Sequence, residues 1–465
     1  MNKFLLFLSI TFLIGCSGKQ KKSPSIYFAG EIVNPKNDSV VLYKDDARIC
    51  SSKLDSHNRF VIKLDASAEE GLYHFGHSPE VQYVYLEKGD SLLIRVNTAD
   101  FDESLVFEGI GQEINNFLLE MFLVQENEER DFIQNIYQLN PEDFSKKVDS
   151  INVIKLDLLH NLEQEAVLSE NAVAIAKTNI NYTTYLYKER YPFKHREIYK
   201  KNSFEELPSS FYDYRKELTF NNPNFTYIAP YYNFMKEHFY GVSYMNCKKD
   251  CKKNGVNYVN QLHFNEHQLK LIDSAVGEKN LKDNLIRFVA LKYLLRSNVS
   301  YKKNTEFIEK FHEVANDNKH VTEINTLYNS INNLQPNMPV PAVWVVDFNG
   351  KQVSLAEIST TRKDVVFYFW MGEHNKHFKH IINRVNSLNN TKKNKYTYIG
   401  ISLRTDEQKW KDVVTSNNLN TENQFRAAEL KEINNALIIN GKINRAVVTS
   451  NGNITNAFAD IYSSF

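Results

Sequence analysis

In the stretch GEHNKHFKH, His374, His377 and His380 follow one another at three-residue steps, with Glu373 directly before them. Neutral imidazoles bind zinc, copper or nickel, and a carboxylate adds an oxygen ligand. On a helix, residues three apart share a face, whereas the first and third of this series diverge by ~120°. Helices that hold a metal through two histidines commonly space them by four, and the positive end of the helix dipole disfavours a cation at a helix start. The cluster therefore reads first as a solvated polar helix end, with Lys376 and Lys379 among the histidines. A divalent-metal site on His374, His377, His380 and Glu373 is the sharper alternative. A pH-responsive surface is the third, because histidine titrates near neutrality.

Thiol chemistry is confined to Cys16, Cys50, Cys247 and Cys251. The phrase YMNCKKDCKKNG places Cys247 and Cys251 in a lysine-rich setting that suggests an exposed turn. A short disulfide between them, or two unreactive thiols, is the expectation. Flanking lysines would also lower a thiol pKa, so a redox pair at Cys247 and Cys251 stays open as an alternative. Carboxylates cluster at Glu126, Glu128 and Glu129 and at Glu163 and Glu165, which read as solvated helical faces. The chain contains no G-x-x-x-x-G-K-[ST] loop, no G-x-S-x-G elbow and no H-E-x-x-H.

At the N-terminus, Lys3 precedes the apolar run FLLFLSITFLIG, too short for a permanent membrane span and suited to a secretory signal. The run ends Leu13-Ile14-Gly15-Cys16, which resembles a bacterial lipobox. That resemblance implies a signal peptide over 1–15, a diacylglycerol on Cys16 and a lysine-bearing tether over 16–25. Acyl chains anchor firmly because each buried methylene adds about 0.8 kcal/mol. The expected location is the cell envelope, lipid-anchored, with the body in the periplasm.

Among the 465 residues, 56 basic side chains balance 56 acidic ones, so no basic field invites nucleic acid. At 42% hydrophobic, the composition suits several buried cores. Short β-branched and aromatic runs between polar turns (IYFAGEIV, SVVLYK, RFVIKL and the hairpin VQYVYLEKGDSLLIRV) predict an antiparallel β-sandwich over 26–109. Over 110–333 the period changes to three and four. Phe144, Val148, Ile151, Ile154, Leu158 and Leu162 form one predicted apolar face, and Leu281, Leu285, Phe288, Leu291 and Leu295 another. A capped helix is expected at FYDYRKEL, with Pro192, Pro223 and Pro230 breaking helices. A linker is placed at Leu334–Pro339. Beyond it, AVWVVDF, VSL, VVFYFW, YTYIGISL, INRAVVTS and NITNAF alternate with helices from about 374, from 410 to 417 and from 427 to 437, predicting an α/β domain over 334–465.

That last domain resembles the thioredoxin-like, thiol-disulfide oxidoreductase family of bacterial envelope proteins. The likeness rests on Pro341, VVDFNGKQVSL, VVFYFW before a helix, YIGISLRTDEQKW and AVVTSNGNI, in that order. LEKGDSLLIRV…FEGIGQEINNFL and LPSSFYDYRKELTFNNPNF extend it to lipoprotein members of the family. The family's Trp-Cys-x-x-Cys matches Glu373, His374 and His377, and its cis-proline matches Ile443, or Asn444 with the gap one residue later. Disulfide exchange needs a thiolate and a mixed disulfide, which imidazole cannot supply. A non-proline cis bond would cost about 2.5–4 kcal/mol, so a trans peptide is expected. The resemblance therefore implies a redox-inactive accessory protein that binds a peptide, a partner protein or a ligand, needs no cofactor and touches membrane lipid through Cys16. The alternatives are an oxidoreductase using Cys247 and Cys251 and a histidine-based metal binder.

Overall fold

The computed structural model describes residues 25–251, 262–296, 301–371, 375–391, 395–403, 406–439 and 442–465, with backbone alone at 248–251 and 375–376. Cys16, Glu373 and His374 lie outside the described residues. Two compact units divide the chain at His238/Phe239. The division falls within the stretch 110–333 that the sequence reading treats as one helical domain.

The first unit opens with β1 (Ile26–Val33), β2 (Ser39–Lys44), β3 (Ala47–Lys53), β4 (Arg59–Leu64), β5 (Gly71–His77), β6 (Glu80–Leu86) and β7 (Ser91–Asn97). A short helix α1 (Phe101–Ser104) and β8 (Val106–Ile110) complete it. Two four-stranded sheets form, ordered β4-β1-β7-β8 and β3-β2-β5-β6. Strand alternation explains them: in β4, Phe60, Ile62 and Leu64 point inward while Arg59, Val61 and Lys63 point outward. The inward faces share one core around Phe28, Phe60, Phe75 and Phe101. Neighbouring strands run antiparallel except β1 and β7, which pair in parallel.

Helices α2 (Gln112–Gln134), α3 (Pro141–Glu165) and α4 (Glu170–Ile198) follow, and α5 (Ala229–Cys251) carries the division point. The start of α3 is written in its sequence: Asn140 caps the amide of Asp143, and Pro141 occupies the first turn. The face of α3 departs from expectation. Ile154 and Leu158 are exposed, and Lys155 and Leu159 are buried in their place. The Lys155 ammonium meets Glu128 at 2.6 Å, and the Tyr187 hydroxyl donates to the same carboxylate at 3.3 Å. An ion pair thus turns the helix by one position, and Glu128 is not the solvated carboxylate expected. Glu126 and Glu129 line an apolar-walled cavity of about 250 Å³ beside Leu118, Phe122 and Ile175.

Two further expectations are corrected. Pro192 does not break a helix: α4 continues through it, with buried Tyr187, Tyr191 and His195 holding the turns on either side. The segment FYDYRKEL forms a 3-10 turn over Asp213–Glu217 instead of an α-helix.

The second unit contains α6 (Leu262–Ala275), α7 (Lys279–Leu294), α8 (Tyr301–Val314) and α9 (Val321–Asn333). Then come β9 (Trp344–Val346), β10 (Gln352–Ser354), α10 (Leu355–Thr361), β11 (Asp364–Trp370), α11 (Asn375–Asn389) and β12 (Thr397–Ser402). The chain closes with α12 (Glu407–Ser416), β13 (Gln424–Ala427), α13 (Leu430–Leu437), β14 (Arg445–Ser450) and β15 (Asn453–Asp460). The predicted linker, 334–339, lies between α9 and β9, with Leu334 buried, 336–339 exposed and the Asn337 amide donating to the Ile454 carbonyl at 2.8 Å.

The seven strands are ordered β10-β9-β13-β12-β11-β14-β15. β11, β12 and β13 run parallel, and β14 runs antiparallel against β11. A strand–helix–strand unit (β11, α11, β12) beside a β14–β15 hairpin is the thioredoxin-like arrangement. Because β11 has neighbours on both edges and helices over the sheet, its residues from Val365 to Trp370 are all buried, as a near-continuous apolar run requires.

Candidate functional site at the start of α11

Helix α11 is amphipathic, burying Phe378, Ile381, Ile382, Val385 and Leu388 against the sheet. Phe378 packs on Trp370 at 5.0 Å between ring centres, which sets the helix start over the C-terminal end of β11. Beneath it, Trp370 Nε1 donates to Gln424 Oε1 at 3.2 Å, and Gln424 Nε2 donates to the Tyr368 hydroxyl at 2.9 Å. Burial pushes the Tyr368 hydroxyl up to about 12, so it stays protonated and works only as a hydrogen-bonding group.

On this foundation stands His377, half-buried in the first turn of α11. Its Nε2 lies 3.2 Å from Asn444 Oδ1. An amide oxygen only accepts, so in this orientation Nε2 carries the proton. The hydrogen bond joins two positions 67 residues apart in the chain. It links helix α11 to the turn into β14, the two places that the family resemblance sets against a second cysteine and a cis-proline. Ile443 is half-buried and Asn444 exposed in that turn. Among the described residues, Ser78–Pro79 is the cis peptide, so the bonds preceding Ile443 and Asn444 are trans, as expected.

His380 is exposed on α11, one turn beyond His377. Among the described residues, no group of three or more His, Cys, Asp or Glu side chains is placed to hold a metal ion. The four-residue spacing sought near His374 occurs elsewhere, at His263 and His267 on α6. Sequence reading passed over that pair.

Cys247 is 2% exposed and lies on the continuous helix α5, which corrects the exposed turn expected for it. Helical positions four apart hold their Cβ atoms about 5–6 Å apart, whereas a disulfide needs about 3.5–4.5 Å. A Cys247–Cys251 bridge would therefore require the helix end to unwind. Cys50 is half-buried on β3, and burial pushes its thiol up, against the smaller opposing pull of Arg48, leaving it less thiolate than an exposed cysteine.

The loop into β14 carries a group that sequence reading missed. Arg445, next to Asn444, is 7% exposed. Its Nη1 donates to the carbonyls of Leu437 (3.4 Å) and Ile438, and its guanidinium lies 4.8 Å from the Phe458 ring centre. Burial lowers its pKa to about 10. The signal available in sequence was a charged residue opening an otherwise apolar strand.

No family profile matches the chain, and no curated protein matches it. Solved structures do. A thioredoxin-like protein from Bacteroides caccae is 13% identical, with 56% of this chain and 95% of that one covered and a TM-score of 0.32. The thioredoxin domain of a thiol-disulfide oxidoreductase from Bacteroides vulgatus is 21% identical, covering 26% and 87% at 0.22. A thiol:disulfide interchange protein from a Bacteroides species is also 21% identical, covering 26% and 80% at 0.22. At these values the assignment of the C-terminal sheet rests on its strand order. Among the described residues, no helix is long and apolar enough to cross a membrane.

Proposed function

We propose that the chain is a lipid-anchored envelope protein whose thioredoxin-like domain binds a polypeptide segment and does not exchange disulfides. The observation that carries this reading is the 3.2 Å bond between His377 and Asn444. Where the family presents a thiol opposite a cis-proline, this chain offers an imidazole bonded to an amide. Neither group opens a disulfide, and residues 334–465 contain no cysteine. The surface left behind, with His377 bonded to exposed Asn444 and half-buried Ile443 next to it, combines hydrogen-bonding groups with an apolar contact. Such a mixture suits an extended chain. Lipidation at Cys16 would hold this surface at a membrane, in keeping with the run Leu13-Ile14-Gly15-Cys16.

The test uses the full chain on an array of random dodecapeptides, beside an insulin-reduction assay with dithiothreitol. The expected result is no insulin turnover and a reproducible set of bound peptides that His377→Ala with Asn444→Ala weakens. Insulin turnover, or an array that is blank or unaffected by the double change, overturns the reading. For the anchor, labelled palmitate should enter the wild type and not Cys16→Ala; label retained by that variant rejects lipidation at Cys16.

A further inference from the structure

A cavity of about 290 Å³ opens beside the His377–Asn444 bond, lined by Leu295, Lys442–Arg445 and Phe458–Asp460. Two of its walls are cations. Arg445 is buried, yet its partners among the described residues are two backbone carbonyls and a ring face, and no carboxylate among them lies within 4.0 Å of it. The Lys442 ammonium donates to the Leu295 carbonyl at 3.1 Å, also without a carboxylate. Burial, and then the charge of Arg445, push the Lys442 pKa down, so the two cations repel one another in a partly desolvated space.

Among the described residues, Asp460 is the one acid in the lining, paired with Arg445 in strand register. Its Oδ1 is engaged elsewhere: it accepts from the amides of Tyr462 at 2.9 Å and Ser463 at 3.1 Å and from the Ser463 hydroxyl at 3.3 Å. Its described lining thus carries two positive charges and one negative, a surplus matching a single carboxylate and not a phosphate dianion. A guanidinium with donors to spare and an ammonium beside it can share the two oxygens of one carboxylate.

We propose that this cavity binds a carboxylate carried by a polypeptide, either an acidic side chain or a chain terminus. The inference rests on the polypeptide-binding reading above and names the chemical group that the partner presents. The ligand carboxylate would take the free guanidinium donors of Arg445 and the Lys442 ammonium, with Asn444 at the rim and Phe458 as the apolar wall.

Four small probes are titrated into the full chain at constant ionic strength and followed by amide resonances of Asn444, Arg445 and Phe458. N-acetylglutamate α-amide presents a side-chain carboxylate, N-acetylalanine a terminal one, N-acetylglutamine α-amide neither, and inorganic phosphate a tetrahedral anion. At least one carboxylate probe should shift these resonances saturably, and which one responds identifies the source. Affinity should fall about tenfold for the glutamine probe and in Lys442→Gln, the effect of losing one charge-assisted hydrogen bond. Lys442 is exposed, so that variant should fold even where Arg445→Met does not. Equal binding of the glutamine probe, tighter binding of phosphate, or an unchanged Lys442→Gln overturns the inference. Array peptides that bind equally with Glu or Gln overturn the carboxylate site but leave polypeptide binding standing. Saturable small-probe binding with a blank array does the reverse.

Discussion

Arg215 grips Glu189 through two parallel bonds, Nε to Oε1 at 2.9 Å and Nη2 to Oε2 at 2.6 Å, deep in the helical part of the first unit. The Glu189 side chain is 1% exposed and also accepts from the Tyr214 hydroxyl and from His238 Nδ1, both at 2.9 Å. A buried carboxylate survives only when its lone pairs are so occupied. Removing it strands the guanidinium, so Glu189→Ala should cost about 3–5 kcal/mol in urea unfolding. A loss below 1 kcal/mol, on the scale of an exposed pair, would show that the network contributes little.

The same carboxyl predicts an acid limb. Burial alone would raise its pKa, but the hydrogen bond and charge of His238, then those of Arg215, outweigh that and leave it lowered. A carboxyl with a folded pKa below its unfolded value contributes fully above the unfolded value and loses that contribution as pH falls through the folded one. The urea midpoint should therefore fall between about pH 5 and pH 2, and Glu189→Gln should flatten that slope. Parallel acid limbs in the two proteins would assign the loss to other carboxyls.

Gly400 on β12 is a second sensitive point. A Cβ there would stand 2.3 Å from Gln424 Oε1 and 2.6 Å from the Tyr368 hydroxyl. Those atoms belong to the chain of hydrogen bonds beneath α11. Gly400→Ala should destabilise by about 1–3 kcal/mol, as overpacking does. It should also shift tryptophan fluorescence, since Trp370 shares the network. An unchanged melting temperature and spectrum would mean that Gln424 can turn away freely.

Cys247 offers a direct check on thiol chemistry. Buried on α5, it should resist iodoacetamide in native buffer and react only when its surroundings open. Peptide mass spectrometry after brief labelling reads this directly. Native labelling of Cys247 at the rate of an exposed thiol would restore the redox alternative at Cys247 and Cys251.

The sequence was legible where a single physical rule dominates. VVFYFW reads as a core strand, and the three-and-four spacing from Phe144 to Leu162 marked the helix that is α3. It was silent where a distant partner overrules local pattern. Nothing near Lys155 indicates that Glu128 draws it inside in place of Ile154. Pro192 likewise reads as a breaker until the aromatic packing around α4 is seen. The strand β13 went unread, and its last residue, Ala427, was counted into the following helix, because so short a strand has no period to detect. At the candidate site, His377 and Ile443 were found by their place in a resemblance. The bond between His377 and Asn444 and the burial of Arg445 depend on chain closure that sequence does not display.

Ile438 ends α13 at φ 54° and ψ 45°, a left-handed conformation that a β-branched residue seldom adopts. Glycine would relieve about 1–2 kcal/mol there, but the Ile438 side chain is 1% exposed, and burying it stabilises by about 1.5–3 kcal/mol. Side-chain packing thus holds the backbone in an unfavourable geometry, and the carbonyl so aimed is the one that receives Arg445. The guanidinium is therefore positioned when the chain folds, before any ligand arrives. An incoming carboxylate would meet a mould already set, and selection would operate by rejecting shapes that do not fit it.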